Sequence, residues 1–139
     1  MPKKVEDKTL KLFKDFLSGK KVLIVDTNAS ARTGLAKTMI DLGAQSNLVT
    51  LADGYVVAEK LITSGKPQVI ITEYDLEKGR CGLELLQQVR ENDKEIKNEL
   101  FVLVTANTSQ SAVAQAAEED VDLYILKPYT LDKFKKSLL

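Results

Sequence analysis

The sequence predicts a single α/β domain built on a parallel, doubly wound sheet. Five short apolar runs alternate with amphipathic stretches, a pattern that places helices on both faces of a sheet through right-handed crossovers. The third run, residues 69–71, follows Pro67 and contains only valine and isoleucine, as expected of a central strand buried on both sides. At 139 residues, the chain suits one hydrophobic core.

The predicted elements follow one another in a regular order. Helices are indicated by apolar residues at intervals of three or four positions and by glycines near the helix ends. The third and fourth helices are predicted over residues 83–92 and 109–119, and the first begins near residue 31. The predicted strands cover residues 22–25, 48–51, 69–71, 100–104 and 123–126, and the apolar positions of the first two helices are Leu35, Met39, Leu42, Val57, Leu61 and Ile62.

An additional amphipathic helix is predicted before the first strand. Leu10, Phe13 and Leu17 recur at helical spacing, and Gly19 ends the pattern. We expect this stripe to pack on its own domain or on a second copy of the chain in a homodimer, because interleaved acidic residues disfavour a membrane surface. The predicted organisation is a helical extension over residues 1–20 and one domain over residues 21–139.

The composition excludes several classes of function. Basic and acidic residues both number 20, so no overall field attracts nucleic acid or a membrane, and a protein is the expected partner. The chain has no histidine and one cysteine, Cys81, which excludes histidine-based catalysis, an internal disulfide and a cysteine-rich zinc site. No apolar stretch approaches the ~18 residues of a membrane span. We expect a cytoplasmic protein.

Polar side chains lie where four of the predicted strands end. Asp26 and Thr27 follow the first strand, Glu73 the third, Thr105 the fourth and Lys127 the fifth. The carboxyl ends of parallel strands share one edge of the sheet, which is where open α/β sheets place their sites. We therefore expect these side chains to converge around Glu73.

Several separated motifs give the chain a resemblance to a known family. They are Val-Leu-Ile-Val-Asp at 22–26, Ala-Asp-Gly at 52–54, Gly-Leu-Glu-Leu-Leu at 82–86, Val-Thr-Ala at 104–106 and Tyr-Ile-Leu-Lys-Pro at 124–128. From residue 21 to 139 the chain resembles a response-regulator receiver domain of the chemotaxis-regulator type. The resemblance implies a flavodoxin-like fold with strand order 2-1-3-4-5, and a role in two-component signalling rather than catalysis.

The resemblance also implies roles for individual residues. Receiver domains sense a phosphoryl group through residues matched here by Thr105, Tyr124 and Lys127, and a cis Lys127–Pro128 peptide bond would turn the lysine into the site. A protein partner would bind the fourth helix, the fifth strand and the fifth helix. We expect a linked output module beyond Leu139, because the last helix ends there with no capping signal.

The chain departs from the receiver pattern at the acidic site. In the family, two acids after the first strand and an aspartate ending the third hold magnesium, and that aspartate accepts a phosphoryl group from a histidine kinase. Here Thr27 replaces the second acid, Glu73 replaces the aspartate, and the loop over residues 73–82 is one residue longer. Magnesium requires near-octahedral oxygen ligands, so we expect no metal beyond weak binding by Asp26 and Glu73.

These departures predict a degenerate receiver that acts as a phosphorylation-independent protein-interaction module. Glu73 supplies a negative charge close to Lys127 and Thr105 and would partly mimic a phosphoryl group. In that case Tyr124 should lie inward and Thr105 should point toward the acidic site. If the site instead has no signalling role, Glu73 and Lys127 would form only an ion pair.

Two further functions stay open at this point. Asp75 would join Asp26 and Thr27 in the acidic pocket if the third strand continued, and it would then be a displaced phosphoacceptor. A flavodoxin-like phosphate or nucleotide binder would instead use Thr27, Ser30, Thr33 and Gly34 at a helix N-terminus. Ordinary helix capping is the preferred interpretation of those residues, because Asp26 would repel a phosphate.

Overall fold

A five-stranded parallel sheet forms the centre of the structure, a computed structural model that describes residues 14–92, 94–95 and 99–137. The strand order is β2-β1-β3-β4-β5, and every pairing is parallel. The predicted order is confirmed, with the third strand at the centre. The strands are β1 (Val22–Val25), β2 (Val49–Ala52), β3 (Val69–Thr72), β4 (Leu100–Thr105) and β5 (Leu123–Leu126).

Helices connect successive strands and cover both faces of the sheet. Short 3₁₀ turns precede β2 at Ser46–Leu48 and follow β3 at Glu77–Gly79. In the part of the chain that the structure describes, none of the helices has the length and apolar character needed to span a membrane. The helices are α1 (Ala29–Asp41), α2 (Tyr55–Gly65), α3 (Gly82–Asn92), α4 (Gln110–Glu118) and α5 (Leu131–Ser137).

Alternation along the strands divides the core into two layers. Val22 and Ile24 of β1 face the layer that α1 and α5 cover, whereas Leu23 and Val25 face the layer under α2, α3 and α4. All four positions of β1 and of β3 are buried. Strands covered on both faces are apolar without interruption, which is why their positions could be predicted closely.

Two details of the helices differ from the sequence prediction. The first helix begins at Ala29, because the Asn28 side chain caps it by accepting a hydrogen bond from the Ala31 amide at 2.9 Å. In α2 the buried positions include Ala58 and Ile62, whereas Val57 is 41% exposed. The prediction that Val57 faces the core is wrong, because at about 100° per residue it lies away from that stripe.

The end of the leading helical segment packs on the domain. Residues 14–17 are helical, and Leu17 is buried in the layer covered by α1 and α5. The Lys14 backbone lies against Gly43, whose φ of +124° and lack of a Cβ permit this close approach. Leu10 and Phe13 of the predicted stripe lie outside the described residues.

The loop between β3 and α3 is tied to the start of α2. Both carboxylate oxygens of Glu77 accept a hydrogen bond from the Tyr55 amide, at 2.8 and 3.0 Å. A Cβ at Gly54 would meet this carboxylate at 2.5 Å, so the glycine provides the space that Glu77 occupies. Arg80 also lies over the Tyr55 ring, 3.6 Å from the ring centre. The loop that begins at Glu73 is therefore anchored at its far end.

We expect Glu77→Gln to destabilise the protein in a pH-dependent way. Burial alone would raise the pKa of Glu77, but backbone hydrogen bonds outweigh burial and lower the pKa below its usual 4.5. A lowered carboxyl pKa stabilises the fold above the ordinary value, and this stabilisation is lost as pH falls through the folded-state value. At pH 7 the variant should unfold with a free energy lower by roughly 0.5 kcal/mol, as for a charge at a helix N-terminus.

Urea denaturation at pH 7 and below pH 4.5 measures this difference. The exposed Glu118 provides a matched control, since Glu118→Gln should leave stability nearly unchanged at both pH values. A deficit in Glu77→Gln that persists undiminished in acid would contradict the capping role.

Candidate functional site

The sheet brings the ends of β1, β3 and β5 to one edge. Backbone hydrogen bonds continue the ladders by one residue, from the Glu73 amide to Val25 O and from the Lys127 amide to Thr105 O, each at 2.9 Å. Because all of these strands run in the same direction, Asp26, Glu73 and Lys127 emerge together. The predicted convergence of these three residues is present.

Lys127 joins two carboxylates at the centre of the site. Its Nζ donates hydrogen bonds to Asp26 Oδ2 at 2.7 Å and to Glu73 Oε1 at 3.1 Å. The side chains of Lys127, Asp26 and Glu73 are 23%, 3% and 13% exposed, so water screens these charges only weakly. Two carboxylates and one ammonium leave one net negative charge in the site.

The protonation of Lys127 follows from these contacts. Burial alone would lower its pKa, but the hydrogen bonds to Asp26 and Glu73 outweigh burial and raise the pKa above the usual 10.5. The ammonium therefore stays charged at neutral pH, and its stabilising effect is lost only as pH rises through the raised value. The Lys127–Pro128 peptide bond is cis, as the family resemblance implied.

Asp26 accepts hydrogen bonds from several groups, whereas Thr27 does not take part in the contact with Lys127. Asp26 Oδ1 accepts a hydrogen bond from the Asn28 amide at 2.9 Å, and its backbone oxygen accepts one from Arg32 Nη1 at 2.8 Å. The next residue, Thr27, is exposed. The structure therefore brings Asp26 to Lys127 but leaves Thr27 at the surface.

The Glu73 carboxylate binds two groups at once. While Oε1 accepts from Lys127, Oε2 accepts a hydrogen bond from the Tyr74 amide at 2.6 Å. The expected contact with Thr105 is not formed. Within the described residues, the buried Thr105 hydroxyl accepts a hydrogen bond from the Asn107 amide at 3.1 Å and makes none with Glu73.

Tyr124 is directed toward the interior. Its hydroxyl donates to Asn107 O at 2.5 Å, and its ring packs against the layer under α2, α3 and α4. Burial raises the pKa of Tyr124, and the negative charges of Glu73 and Asp75 raise it further. This arrangement links the loop after β4 to β5.

Asp75 contacts different partners from Glu73. The third strand ends at Thr72. It therefore does not reach Asp75, which a pocket shared with Asp26 would have required. The chain turns instead, and Asp75 forms an isolated antiparallel bridge with Cys81. Its exposed side chain accepts a hydrogen bond from Asn107 Nδ2 at 3.3 Å. The condition for placing Asp75 in one pocket with Asp26, a third strand that continues to Asp75, is therefore not met.

The helix N-terminus considered as a phosphate site is capped by a side chain of the protein itself. Asn28 caps α1, and the Thr33 hydroxyl donates to Ala29 O at 3.0 Å. Ser30 instead lines a cleft of about 490 Å³ beside Lys127 and Tyr129. The buried charge nearest to this helix start is Asp26, which disfavours an anion there.

The donor set of the acidic site fits magnesium poorly. The Lys127 ammonium already lies between the two carboxylates, in contact with both. Among the residues that the structure describes, no group of three or more His, Cys, Asp or Glu side chains is arranged to hold a metal ion. Because magnesium favours near-octahedral oxygen ligands that include carboxylates, we assign no metal-dependent step to this site.

Three residues of the site were not singled out from the sequence. Asn107 bonds to Tyr124, Thr105 and Asp75, and the Tyr74 hydroxyl donates to Gln115 Oε1 at 2.8 Å. The available signal was position, since Tyr74 directly follows Glu73 and Asn107 lies two residues after Thr105. The sequence position of Gln115, the partner of Tyr74 on α4, gave no indication of this contact.

Comparison with known proteins places this geometry in a family. A family model described as the response regulator receiver domain matches residues 22–139. The chemotaxis protein CheY-3 of Vibrio cholerae serotype O1 is 30% identical over 118 residues, which cover 85% of this chain and 88% of that protein. The chemotaxis protein CheY of Pseudomonas aeruginosa is also 30% identical over 118 residues, covering 85% of this chain and 92% of the relative.

Solved structures agree on the fold. The chemotaxis response regulator CheY4 of Vibrio cholerae superposes with a TM-score of 0.75 at 23% identity, covering 87% of this chain and 97% of that one. A CheY-like receiver domain protein from Methanospirillum hungatei gives a TM-score of 0.74 at 20% identity, with coverages of 87% and 91%. The chain therefore belongs to the response-regulator receiver domain family and has its CheY-like, flavodoxin-like fold.

Proposed function

We propose that the chain is a receiver that binds a protein partner without being phosphorylated, with Glu73 standing in part for the phosphoryl group. The observation that carries this proposal is the contact of Lys127 Nζ with Asp26 at 2.7 Å and with Glu73 at 3.1 Å. A permanent carboxylate thus lies on the lysine that receiver domains use to sense a phosphoryl group.

Glu73 carries less charge than a phosphoryl group, but it is permanently attached to the chain. Phosphorylation would add a charge of about −1.5 to −2, whereas the carboxylate carries a single negative charge. The carboxylate is covalently tethered, however, so it acts on a two-state equilibrium like a ligand that never dissociates. The contact with Lys127 shifts the equilibrium between the two states only by the difference in its free energy between them.

The surface proposed for the partner carries exposed apolar side chains. Val113 on α4, Leu126 on β5 and Leu131 on α5 are 47%, 36% and 40% exposed. These three side chains lie on the three elements that receiver domains use for their partners, and exposed apolar surface there suits a protein partner. Tyr124, on the same strand as Leu126, has its hydroxyl engaged by Asn107 and its ring against the core, which leaves this surface accessible.

Phosphotransfer to Glu73 is disfavoured by the same contacts. Both oxygens of the carboxylate are engaged, one by Lys127 and the other by the Tyr74 amide. Thr27 supplies no second acid for a metal. A displacement of about 1 Å in a positioned reaction costs about a hundredfold in rate, and the extra methylene of glutamate displaces the carboxylate further than that from an aspartate's position.

Incubation with acetyl phosphate and magnesium should therefore give no stable phosphoryl adduct, as measured by intact-mass spectrometry. We expect Glu73→Asp to restore little, because the metal site still lacks a carboxylate, and Glu73→Asp combined with Thr27→Asp to restore some. Equal adduct in the single and double variants would contradict the metal argument. A stoichiometric adduct on the wild type that disappears in Asp75→Asn would establish Asp75 as the acceptor.

The variant Glu73→Gln tests whether Glu73 mimics a phosphoryl group or only forms an ion pair with Lys127. It removes the charge and keeps the shape, so the free energy of unfolding should fall by roughly 1 to 3 kcal/mol, as for a hydrogen bond to a charged group. We expect the Tyr124 ring to reorient more freely and its pKa to fall, because the Glu73 charge raises it.

NMR of the Tyr124 ring during a pH titration measures both effects. Glu91 is exposed at the end of α3, so Glu91→Gln is the control that removes a carboxylate away from the site. Should Tyr124 keep its orientation in Glu73→Gln, the contact between Glu73 and Lys127 would be structural only.

A further inference from the structure

Little apolar contact holds α4 on the sheet. The helix has nine residues, fewer than the ~12 to 15 at which an isolated helix is even marginally stable. Its buried side chains are two alanines, Ala112 and Ala116, whereas α3 buries three leucines and a valine. Because alanine offers little apolar surface, polar contacts have a large share in fixing the position of α4.

Tyr74 reaches α4 from the loop that carries Glu73. Its hydroxyl donates to Gln115 Oε1 at 2.8 Å, near the buried alanine Ala116. The Tyr74 ring packs against the core layer under the same helices, which restricts the side chain to this direction. Burial raises the pKa of Tyr74, so the hydroxyl keeps its proton at neutral pH and can donate.

The backbone of Tyr74 is fixed by Glu73. The Tyr74 amide donates to Glu73 Oε2 at 2.6 Å, while Glu73 Oε1 accepts from Lys127 at 3.1 Å. A single carboxylate therefore connects Lys127 to the backbone from which the Tyr74 side chain projects. Loss of the charge on Glu73 would weaken both hydrogen bonds together.

A second contact joins the same loop to the start of α4. Asp75 Oδ2 accepts from Asn107 Nδ2 at 3.3 Å, and Asn107 Oδ1 accepts from the Ser109 amide at 3.0 Å. Ser109 in turn caps α4 by accepting from the Ala112 amide at 3.2 Å. The loop after β3 thus contacts both the approach to α4 and its middle.

We propose that Tyr74 is a positioning residue that couples Glu73 to α4 through the hydrogen bond between its hydroxyl and Gln115. The coupling deepens the proposed function and rests on it, because it assigns the route by which the Glu73 carboxylate acts on the partner-binding surface. The route runs from Lys127 through Glu73 and Tyr74 to Gln115, and it does not require a contact between Glu73 and Thr105.

Hydrogen exchange of the full chain, followed by mass spectrometry over residues 110–118, tests the route. Tyr74→Phe removes only the hydroxyl and should speed exchange in α4 about fivefold, the change in opening equilibrium for one ordinary hydrogen bond. Glu73→Gln should also speed it, and the double variant should exchange no faster than Tyr74→Phe alone, because both changes interrupt one route. Gln115→Met should reproduce the effect of Tyr74→Phe from the other side.

Two internal references separate this coupling from general destabilisation. Tyr129 packs in the layer covered by α1 and α5, so Tyr129→Phe should leave exchange in α4 unchanged. Local opening of α1 leaves the bond between Tyr74 and Gln115 intact, so exchange in α1 should not change in Tyr74→Phe. Exchange in β1 and β3 reports global unfolding and should speed by no more than the factor seen in α4.

The outcomes distinguish this proposal from the proposed function. Fully additive effects of Tyr74→Phe and Glu73→Gln would overturn the role of Tyr74 and leave Glu73 acting on α4 by another route. Unchanged exchange in both Tyr74→Phe and Gln115→Met would also overturn it. If Tyr74→Phe speeds exchange but Glu73→Gln does not, then Tyr74 merely supports α4, and the proposed function itself fails.

Discussion

The site depends on one ammonium shared by two carboxylates. Asp26, Glu73 and Lys127 are far apart in the sequence, and the parallel sheet brings them within hydrogen-bond distance at one edge. Removing charges from water is costly unless they are paired with good geometry. Each member of the trio therefore stabilises the others in their positions.

The loop after β3 is anchored at two points. At its beginning, Glu73 binds Lys127 and the Tyr74 amide; further along, Glu77 binds the start of α2. Lys78 has a φ of +53° and Gly79 a φ of +73°, so the turn that follows Glu77 is left-handed. The two anchors hold Glu73 against Lys127 and tie the loop to the start of α2.

How closely a strand could be predicted depended on how continuous its apolar run is. The strands β1 and β3, covered on both faces, were placed nearly to the residue, and β5 was placed at Leu123–Leu126 as predicted. The edge strand β2 begins one residue later than predicted, because its half-exposed pattern gives no clear start. The convergence of Asp26, Glu73 and Lys127 follows from strand direction alone. The contact of Tyr74 with Gln115 and the missing contact of Thr105 with Glu73 depend on loop path and side-chain direction, which periodicity does not encode.

Under the proposed function, the surface formed by α4, β5 and α5 is already in its signalling arrangement without a phosphoryl group. Amide NMR spectra recorded before and after addition of beryllofluoride and magnesium test it directly, because this reagent forms phosphoryl-like adducts on carboxylates. The variant combining Glu73→Asp with Thr27→Asp is the control that should respond. We predict that the wild-type shifts of residues 110–118, 123–126 and 131–137 match those of this variant with beryllofluoride bound; wild-type shifts that match the unloaded variant would contradict the proposal.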